Sequence, residues 1–507
     1  MSILREAFGL PAKREKRGLI AGTRSLQSYV AAGTSRLTAD FNGSGGSADS
    51  ELLGSLERMR NRARYLERNE PLVRRYFDLM RINVIGRTGM KLQVKALNDR
   101  SGDLDTAGNA MVENAWKEFC SYGNCSADGQ HTMKSMSALA LNTALRDGEA
   151  FFQVVRGRRF KHGIALNPFE PDLIDDGKNL RLKNGNRVRM GVEIDQYGRP
   201  VAYHVRQSHP GDTEFSAYSL AKERRVPADD IIHVKLVRRA GQTRGEPTLV
   251  PVITTFKMIN GHREAELVAA RIAASKMGFF TSEEGDEFPA DGEAEADAPI
   301  TNVEPGTLWQ LPPGMQFSEF NPSHPSTAFA DFQKNVLMSV ASGMNVSYEA
   351  LTGDVSGVSY SSLRQVAISE RDYFGEVQDW FKDQFMLRVF GIWLQHVMDF
   401  NYIPLPPSRF DKFFNAATFR SRGWKWVDPA KEVSAATEAI HSGLLSLTEA
   451  SDQMGYDLDE TFAQIQREKE LAQSMDITLA FEPFGAKPGS KADQMSPEGE
   501  EPDGGDE

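Results

Sequence analysis

The sequence predicts an α+β fold, with helices and strands gathered in separate stretches of the chain, and three observations carry that prediction. Apolar residues recur at helical spacing over 72–84, 249–272 and 329–340, and over a longer pattern from Ser359 to about Phe400. Between 150 and 237 the pattern turns to alternation broken by Asn-Gly and Tyr-Gly pairs, the signature of hairpins. A chain of 507 residues also exceeds one ordinary core, which sets a prior of about three domains.

Taken in order, residues 1–50 read as a flexible basic arm that turns Gly/Ser-rich ("FNGSGGSADS") and holds too few apolar residues to fold alone. An Arg-rich helix begins at Ser55. A second, "NEPLVRRYFDLMRINVIG", takes Asn69 as its cap, carries Pro71 in its first turn and stops at Gly86. "MKLQVKAL" alternates as a strand, and a helix over 133–145 ends in a turn at Gly148 before a strand over 150–155. Pro247 and Pro251 fall in the opening turns of a helix running to about 277, where early N–H groups lack partners anyway. "GTLWQLPPGMQFSEF" reads as two short strands about a Pro-Gly turn, 328–344 as a helix, and "NVSYEALTGDVSGVSYSS" as a loop with two Gly breaks. The 359–400 pattern spans about 60 Å as a helix. "YIPLPPSRF" ends it, and short helices return over 426–470.

Charge is strongly polarised along a chain of net charge −11. Residues 1–100 hold nineteen Lys/Arg against ten Asp/Glu, whereas Met277 to Gln333 contains eleven acids and no base, and the last fifteen residues add seven acids. That pattern excludes a general nucleic-acid-coating role, which needs a basic surface. The two cysteines, Cys120 and Cys125, argue for a reducing compartment and against a disulfide framework or a zinc site. No signal-peptide pattern opens the sequence. The most apolar segment, 385–398, is broken by Arg388, Gln395 and His396 and falls short of the ~20 residues a span requires, so no membrane is expected.

The motifs of catalysis are missing. There is no phosphate-binding loop, dinucleotide fingerprint, H-E-x-x-H or nucleophile elbow, and His262 with Glu264 in "GHREAE" lacks the cysteines of a deaminase. The acid pairs Asp175–Asp176 and Asp229–Asp230 could hold a hard cation, but each lies beside Pro or Gly at a strand end, where Asp favours turns. His233, amid Ile231, Ile232 and Val234, reads as a partly buried strand histidine. "RRAGQTRGEP" (238–247) is either an anion-binding turn before a helix or a charged connector. No enzyme activity and no cofactor are expected.

Four segments in order bear a family likeness: "NEPLVRRYFDLMRINVIGRTGMKLQ" (69–93), "RDGEAFFQVVRG" (146–157), "MGVEIDQYGRPVAYHV" (190–205) and "VPADDIIHVKLVRRAGQTRGEPTLVPV" (226–252). In these the chain resembles the portal proteins of tailed bacteriophages, lambda-type branch, with the later helices fitting to about 400. Thr248 and Leu249 depart from the aromatic-apolar pair frequent there, and the acidic 283–297 stretch matches nothing in the pattern.

The resemblance implies a portal fold with an α/β wing (51–245), a stem helix (246–280), a small β-containing clip with the acidic insert (281–325) and a second stem helix (326–345). It further implies a channel loop (346–358), a long helix returning to the wing (359–424), a helical crown (425–475) and an acidic disordered tail (476–507). It implies a twelve-fold homo-oligomeric ring at one capsid vertex of the virion, assembled in the host cytoplasm, through which double-stranded DNA is packaged and ejected. Its partners would be the terminase large subunit, head-completion or adaptor proteins, and the major capsid and scaffold proteins. Gly353, Asp354, Val355, Ser356, Gly357, Val358 and Ser359 would face the DNA, and Glu283, Glu284, Asp286 and Glu287 the motor. Arg238, Arg239 and Arg244 would meet a neighbouring subunit. The alternatives are another minor capsid or scaffold-associated head protein, or a hydrolase built on the Asp pairs.

Overall fold

The computed structural model describes residues 45–99, 101–212, 223–274, 278–282, 315–319, 329–424 and 429–477. Most of the expected arm lies outside them, but its end does not: Ala48–Leu52 forms a short helix, α1, capped by Ser47. α2 (Leu56–Asn69) and α3 (Pro71–Val84) follow, and the break between them is set by Pro71 at the first helical position. The cap of α3 is Glu70, one residue later than expected, because Asn69 completes α2 and turns its side chain back onto the Tyr65 carbonyl.

β1 (Lys91–Val94) leads to α4 (Thr106–Phe119) and α5 (Met133–Asp147). A Thr132/Ser135 capping box opens α5, and Gly148 closes it at φ +89°, a conformation only glycine adopts freely. β2 (Glu149–Arg156), β3 (Ile164–Phe169) and, later, β9 form one antiparallel sheet of order β3-β2-β9. The second sheet is a meander: β4 (Leu180–Arg181), β5 (Arg187–Arg189), β6 (Val192–Ile194), β7 (Pro200–Arg206) and β8 (Glu223–Pro227). β5 and β6 are joined by Met190 and Gly191, both at positive φ. β9 (Ile231–Lys235) then returns beside β2.

The helix expected from Pro247 starts six residues later, as α6 (Ile253–Ala274), because 244–252 are used in a buried turn. β10 (Gly278–Ser282) pairs with β11 (Met315–Glu319). The described partner of the Met315 strand is therefore upstream of the acidic stretch, not across the Pro-Gly turn as expected. α7 (Phe329–Gly343) packs on α6. The stretch expected to be loop opens with a helix, α8 (Tyr348–Thr352), because Ser347 accepts from Ala350 N at 3.1 Å and Leu351 is buried.

The long helix is present as α9 (Tyr360–Phe381), one π-turn at Lys382–Met386, and α10 (Leu387–Asp399). Chain reversal follows through α11 (Phe410–Asn415) into β12 (Ala417–Arg420), which pairs with β1. The main core lies where these elements meet: the Trp393 ring sits 5.1 Å from Trp116, and Phe385 lies 4.9 Å from Phe152. Each such side chain contributes about 1.5–3 kcal/mol by leaving water.

The last three helices, α12 (Pro429–His441), α13 (Leu447–Gln453) and α14 (Leu458–Ser474), bury a single described residue, Ala472. They are held instead by polar contacts. Arg420 pairs with Asp457 at 2.8 Å and Asp452 at 3.2 Å, Gln93 donates to Asp457 at 2.6 Å, and Gly423 lies so close to Met454 that a β-carbon would sit 2.3 Å from its backbone. Arg420→Ala is expected to release this segment while the core stays folded. Limited proteolysis should then cut between 420 and 429 several times faster, with the main melting transition unmoved; unchanged protection would refute the polar clamp.

Candidate functional site: a buried ionic joint and an exposed glycine loop

The turn containing "RRAGQTRGEP" folds against the start of β2, bringing together two of the segments that carried the family likeness. At the centre is Glu149, the first residue of β2, whose side chain is fully buried. Its carboxylate accepts from Arg244 Nε at 2.8 and 2.9 Å, from His233 Nε2 at 3.0 Å, from Arg60 Nη2 at 3.2 Å and from the Gly245 amide at 3.2 Å. Burial alone would raise the Glu149 pKa, but the Arg244 guanidinium and the hydrogen bonds from His233 and Arg244 outweigh it and hold the carboxyl well below the usual range.

Arg244, also fully buried, spends its remaining donors on the carbonyls of Met190 (2.7 Å), Ile174 (3.3 Å) and Pro171 (3.3 Å), and stacks over Phe151 at 5.5 Å. The expectation that Arg244 meets a neighbouring subunit is therefore corrected: it is enclosed within its own chain. Arg238 and Arg239 are half-exposed and pair with Glu246 and Glu51. The anion-site reading of the turn also loses its cation, because Arg244 already holds a carboxylate.

The joint is drawn tight by two glycines. A β-carbon on Gly245 would lie 1.9 Å from the Gly148 carbonyl oxygen, and one on Gly148 would lie 2.4 Å from the Glu246 backbone. Around this contact Thr248 donates to the Leu145 carbonyl through both its amide (2.9 Å) and its hydroxyl (2.8 Å). Asp49 of α1 accepts from the Thr243 amide (2.7 Å) and hydroxyl (2.8 Å) and pairs with Arg189 at 2.9 Å. Further ion pairs extend the network: Arg60 and Arg64 bind Asp172, and Arg64 and Arg146 bind Asp147.

His233, anticipated as partly buried, is 3% exposed, stacks on Phe151 at 4.2 Å and has Tyr203 Oη 3.3 Å from Nδ1. Burial is the largest influence on it and, against the pull of Glu149, lowers its pKa to about 4. The neutral ring donates from Nε2 to Glu149 and accepts at Nδ1. Glu149, His233 and Tyr203 thus line up as an acid–imidazole–hydroxyl series, but all three are sealed from solvent, so their role is to fix the joint.

Among the described residues neither acid pair joins a group of three metal-ligating side chains. Asp175 accepts from Gly177 N and pairs with Arg206, and Asp230 pairs with Arg156. Glu170, Asp172 and His209 bring ligand atoms within 4.8 Å of one another. However, the Gly211 amide donates to His209 Nδ1 at 3.0 Å, leaving the proton of a neutral ring on Nε2, and Asp172 is taken by two arginines. His262, the other histidine flagged in the sequence, packs on Phe329 and Phe332.

The expected DNA-facing loop lies between α8 and α9. Gly353 and Gly357 adopt φ of +78° and +76° with open space where a β-carbon would be, and Val355 is exposed. Asp354 is half-buried and engaged: it accepts from Ser356 N and Tyr348 Oη at 3.0 Å each, and the Ser356 hydroxyl bond is the main cause holding its carboxyl below the usual range. Ser359 caps α9. The four acids expected at the motor, Glu283, Glu284, Asp286 and Glu287, lie outside the described residues.

The chain belongs to the phage portal proteins of the lambda family, whose family model matches residues 34–378. It is 32% identical over 450 residues to the probable portal protein of Halomonas phage phiHAP-1, covering 87% of this chain and 86% of that one. It is 24% identical over 460 residues to portal protein B of Escherichia phage lambda, covering 83% and 85%. Among solved structures, a chain from the virion of a gene transfer agent particle matches at 13% identity and a TM-score of 0.42, covering 83% of this chain and 98% of that one.

Arg244→Ala leaves a buried carboxylate short of its main partner and is expected to cost about 3–5 kcal/mol in chemical denaturation. Combining Arg244→Met with Glu149→Gln should cost less than the sum of the single changes. As for pH, a histidine whose folded pKa lies near 4 binds fewer protons than its unfolded counterpart at 6.5. Stability is then complete above 6.5 and falls as pH drops towards 4. His233→Gln should make that fall shallower without abolishing it, since His162, His204 and His396 are shifted the same way. Melting curves at pH 7 and 5 measure the difference, and identical slopes in both proteins would refute the assignment.

Proposed function

We propose that the chain assembles as a twelve-fold ring at a capsid vertex, forming the conduit for DNA packaging and ejection and the platform on which the terminase large subunit and head-completion proteins dock. The observation that carries this reading is the state of α6 and α7. Apolar side chains of both helices stand open to solvent: Met258 is 71% exposed, Leu267 63%, Val268 46% and Phe332 54%. A helix pair that leaves this much apolar surface in water calls for neighbours, and copies of this chain around a closed ring supply them on both sides.

In this reading α6 and α7 are the stem, the two sheets with α1–α5 are the wing, and the Gly353–Ser359 loop faces the DNA. Small, weakly charged groups guide a duplex without the phosphate contacts that would anchor it. The half-exposed Arg238 and Arg239 remain candidates for a subunit contact. The acidic 283–297 stretch would meet a basic motor surface, where complementary charge steers docking. The ring supplies structure, and no reaction is assigned to it; the energy for packaging comes from a partner.

Particle imaging and a mass measurement of the purified chain test this. A ring of twelve 56.3 kDa subunits is expected at about 0.7 MDa. Phe332→Asp with Leu267→Asp should yield folded subunits that do not close. A wild-type monomer stable across salt and concentration would overturn self-assembly and favour another minor head protein.

A further inference from the structure

We infer that the outward face of α2 is a binding surface for the phosphate backbone of nucleic acid, separate from the proposed channel. α2 carries five arginines in eleven residues, and the structure divides them sharply. Arg60 and Arg64 turn inward and are bound to Glu149, Asp172 and Asp147. Arg58, Arg62 and Arg68 are exposed. Arg62 and Arg68 have no carboxylate partner among the described residues, while Arg58 makes a contact to the Gly54 carbonyl at 3.2 Å.

Arg58, Arg62 and Tyr65 follow at intervals of four and three, which places them on one face of the helix, with Arg68 flanking. Tyr65, 60% exposed, stands among them. The acids of the helix do little to cancel this charge: Glu67 is paired with Arg146, leaving Glu57 as the exposed carboxylate.

Phosphate backbone suits this face better than a protein partner does. The middle of a protein interface is depleted of charge and needs apolar area, and among the described residues of α2 the one large exposed apolar surface is the Tyr65 ring. A row of arginines fits a polyanion instead, because guanidinium groups match phosphate oxygens and each contact releases counterions. The row is also held ready. The inward arginines pin α2 to the buried network, so the outward ones sit on a fixed scaffold and lose less freedom on binding.

The test is the salt dependence of binding of the full-length protein to a short linear duplex and to a covalently closed circular duplex, which cannot thread a preformed ring. Wild type is expected to bind both. Arg62→Ala/Arg68→Ala should lower the slope of log K against log salt by about two units on the circle, with an unchanged melting curve. Arg158→Ala/Arg159→Ala, which removes the same charge from the exposed β2–β3 turn, should leave the slope near wild type.

An equal drop in both variants would mean diffuse attraction and overturn the proposal, as would no binding of the circle by wild type. Lost assembly with an unchanged slope would assign the face to a protein contact and likewise overturn it. Ring imaging of the same samples judges the conduit reading separately.

Discussion

A carboxylate buried where no water reaches is the constraint around which the structure is organised. Leaving Glu149 charged in the interior costs several kcal/mol unless its oxygens are fully engaged. They are engaged by four groups from three separated places: Arg60 on α2, His233 on β9, and the Arg244 side chain and Gly245 amide in the connecting turn. None of these is near Glu149 in sequence. The charge is therefore tolerable only when helix, sheet and turn have all come together, which makes the joint an all-or-none element of folding.

That requirement propagates outwards. For the Gly245 amide to reach Glu149, the turn must pass against Gly148, and the approach leaves no room for a β-carbon on either residue. The same turn consumes residues 244–252, which is why α6 begins at Ile253 although Pro247 and Pro251 suit a helix start. Arg244 then reaches past Glu149 to the Met190 carbonyl, so the meander is held at its Met190–Gly191 turn. Asp49 adds the end of the N-terminal arm by bonding Thr243 and Arg189. The direction in which α6 leaves the sheets is thus fixed by hydrogen bonds of defined geometry.

Much of this architecture was legible in the sequence, because periodicity reports which face of an element is apolar. The helices over 56–69, 71–84, 133–147, 329–343 and 360–399 and the hairpins of the meander follow from it. What periodicity does not report is distance across the chain. Glu149 reads as the polar start of a strand, and Arg244 as an exposed connector residue, because arginine is seldom buried without a partner and the partner lies 95 residues away. The Met190 turn was hidden for a similar reason: methionine rarely takes positive φ, and here its carbonyl is held by Arg244 and its amide by Asn179, both distant in the sequence. Nor does an apolar stripe say whose surface covers it, and Leu267 and Phe332 are apolar at helical spacing yet exposed in a single chain.

Stability alone does not select an ionic joint, since well-packed apolar side chains often do as well in a buried site. Orientation provides the stronger argument. An apolar contact can slide by part of a side chain at little cost, whereas Arg244 must satisfy one carboxylate and three carbonyls at once, and a small rotation breaks several bonds together. In a proposed ring of identical subunits, any angular error at this joint is repeated at every interface and decides whether the ring closes. A joint that resists rotation is therefore worth its desolvation cost. The same rigidity fixes the outer arginines of α2, so one buried network sets both the path of the helix pair and the surface that α2 presents.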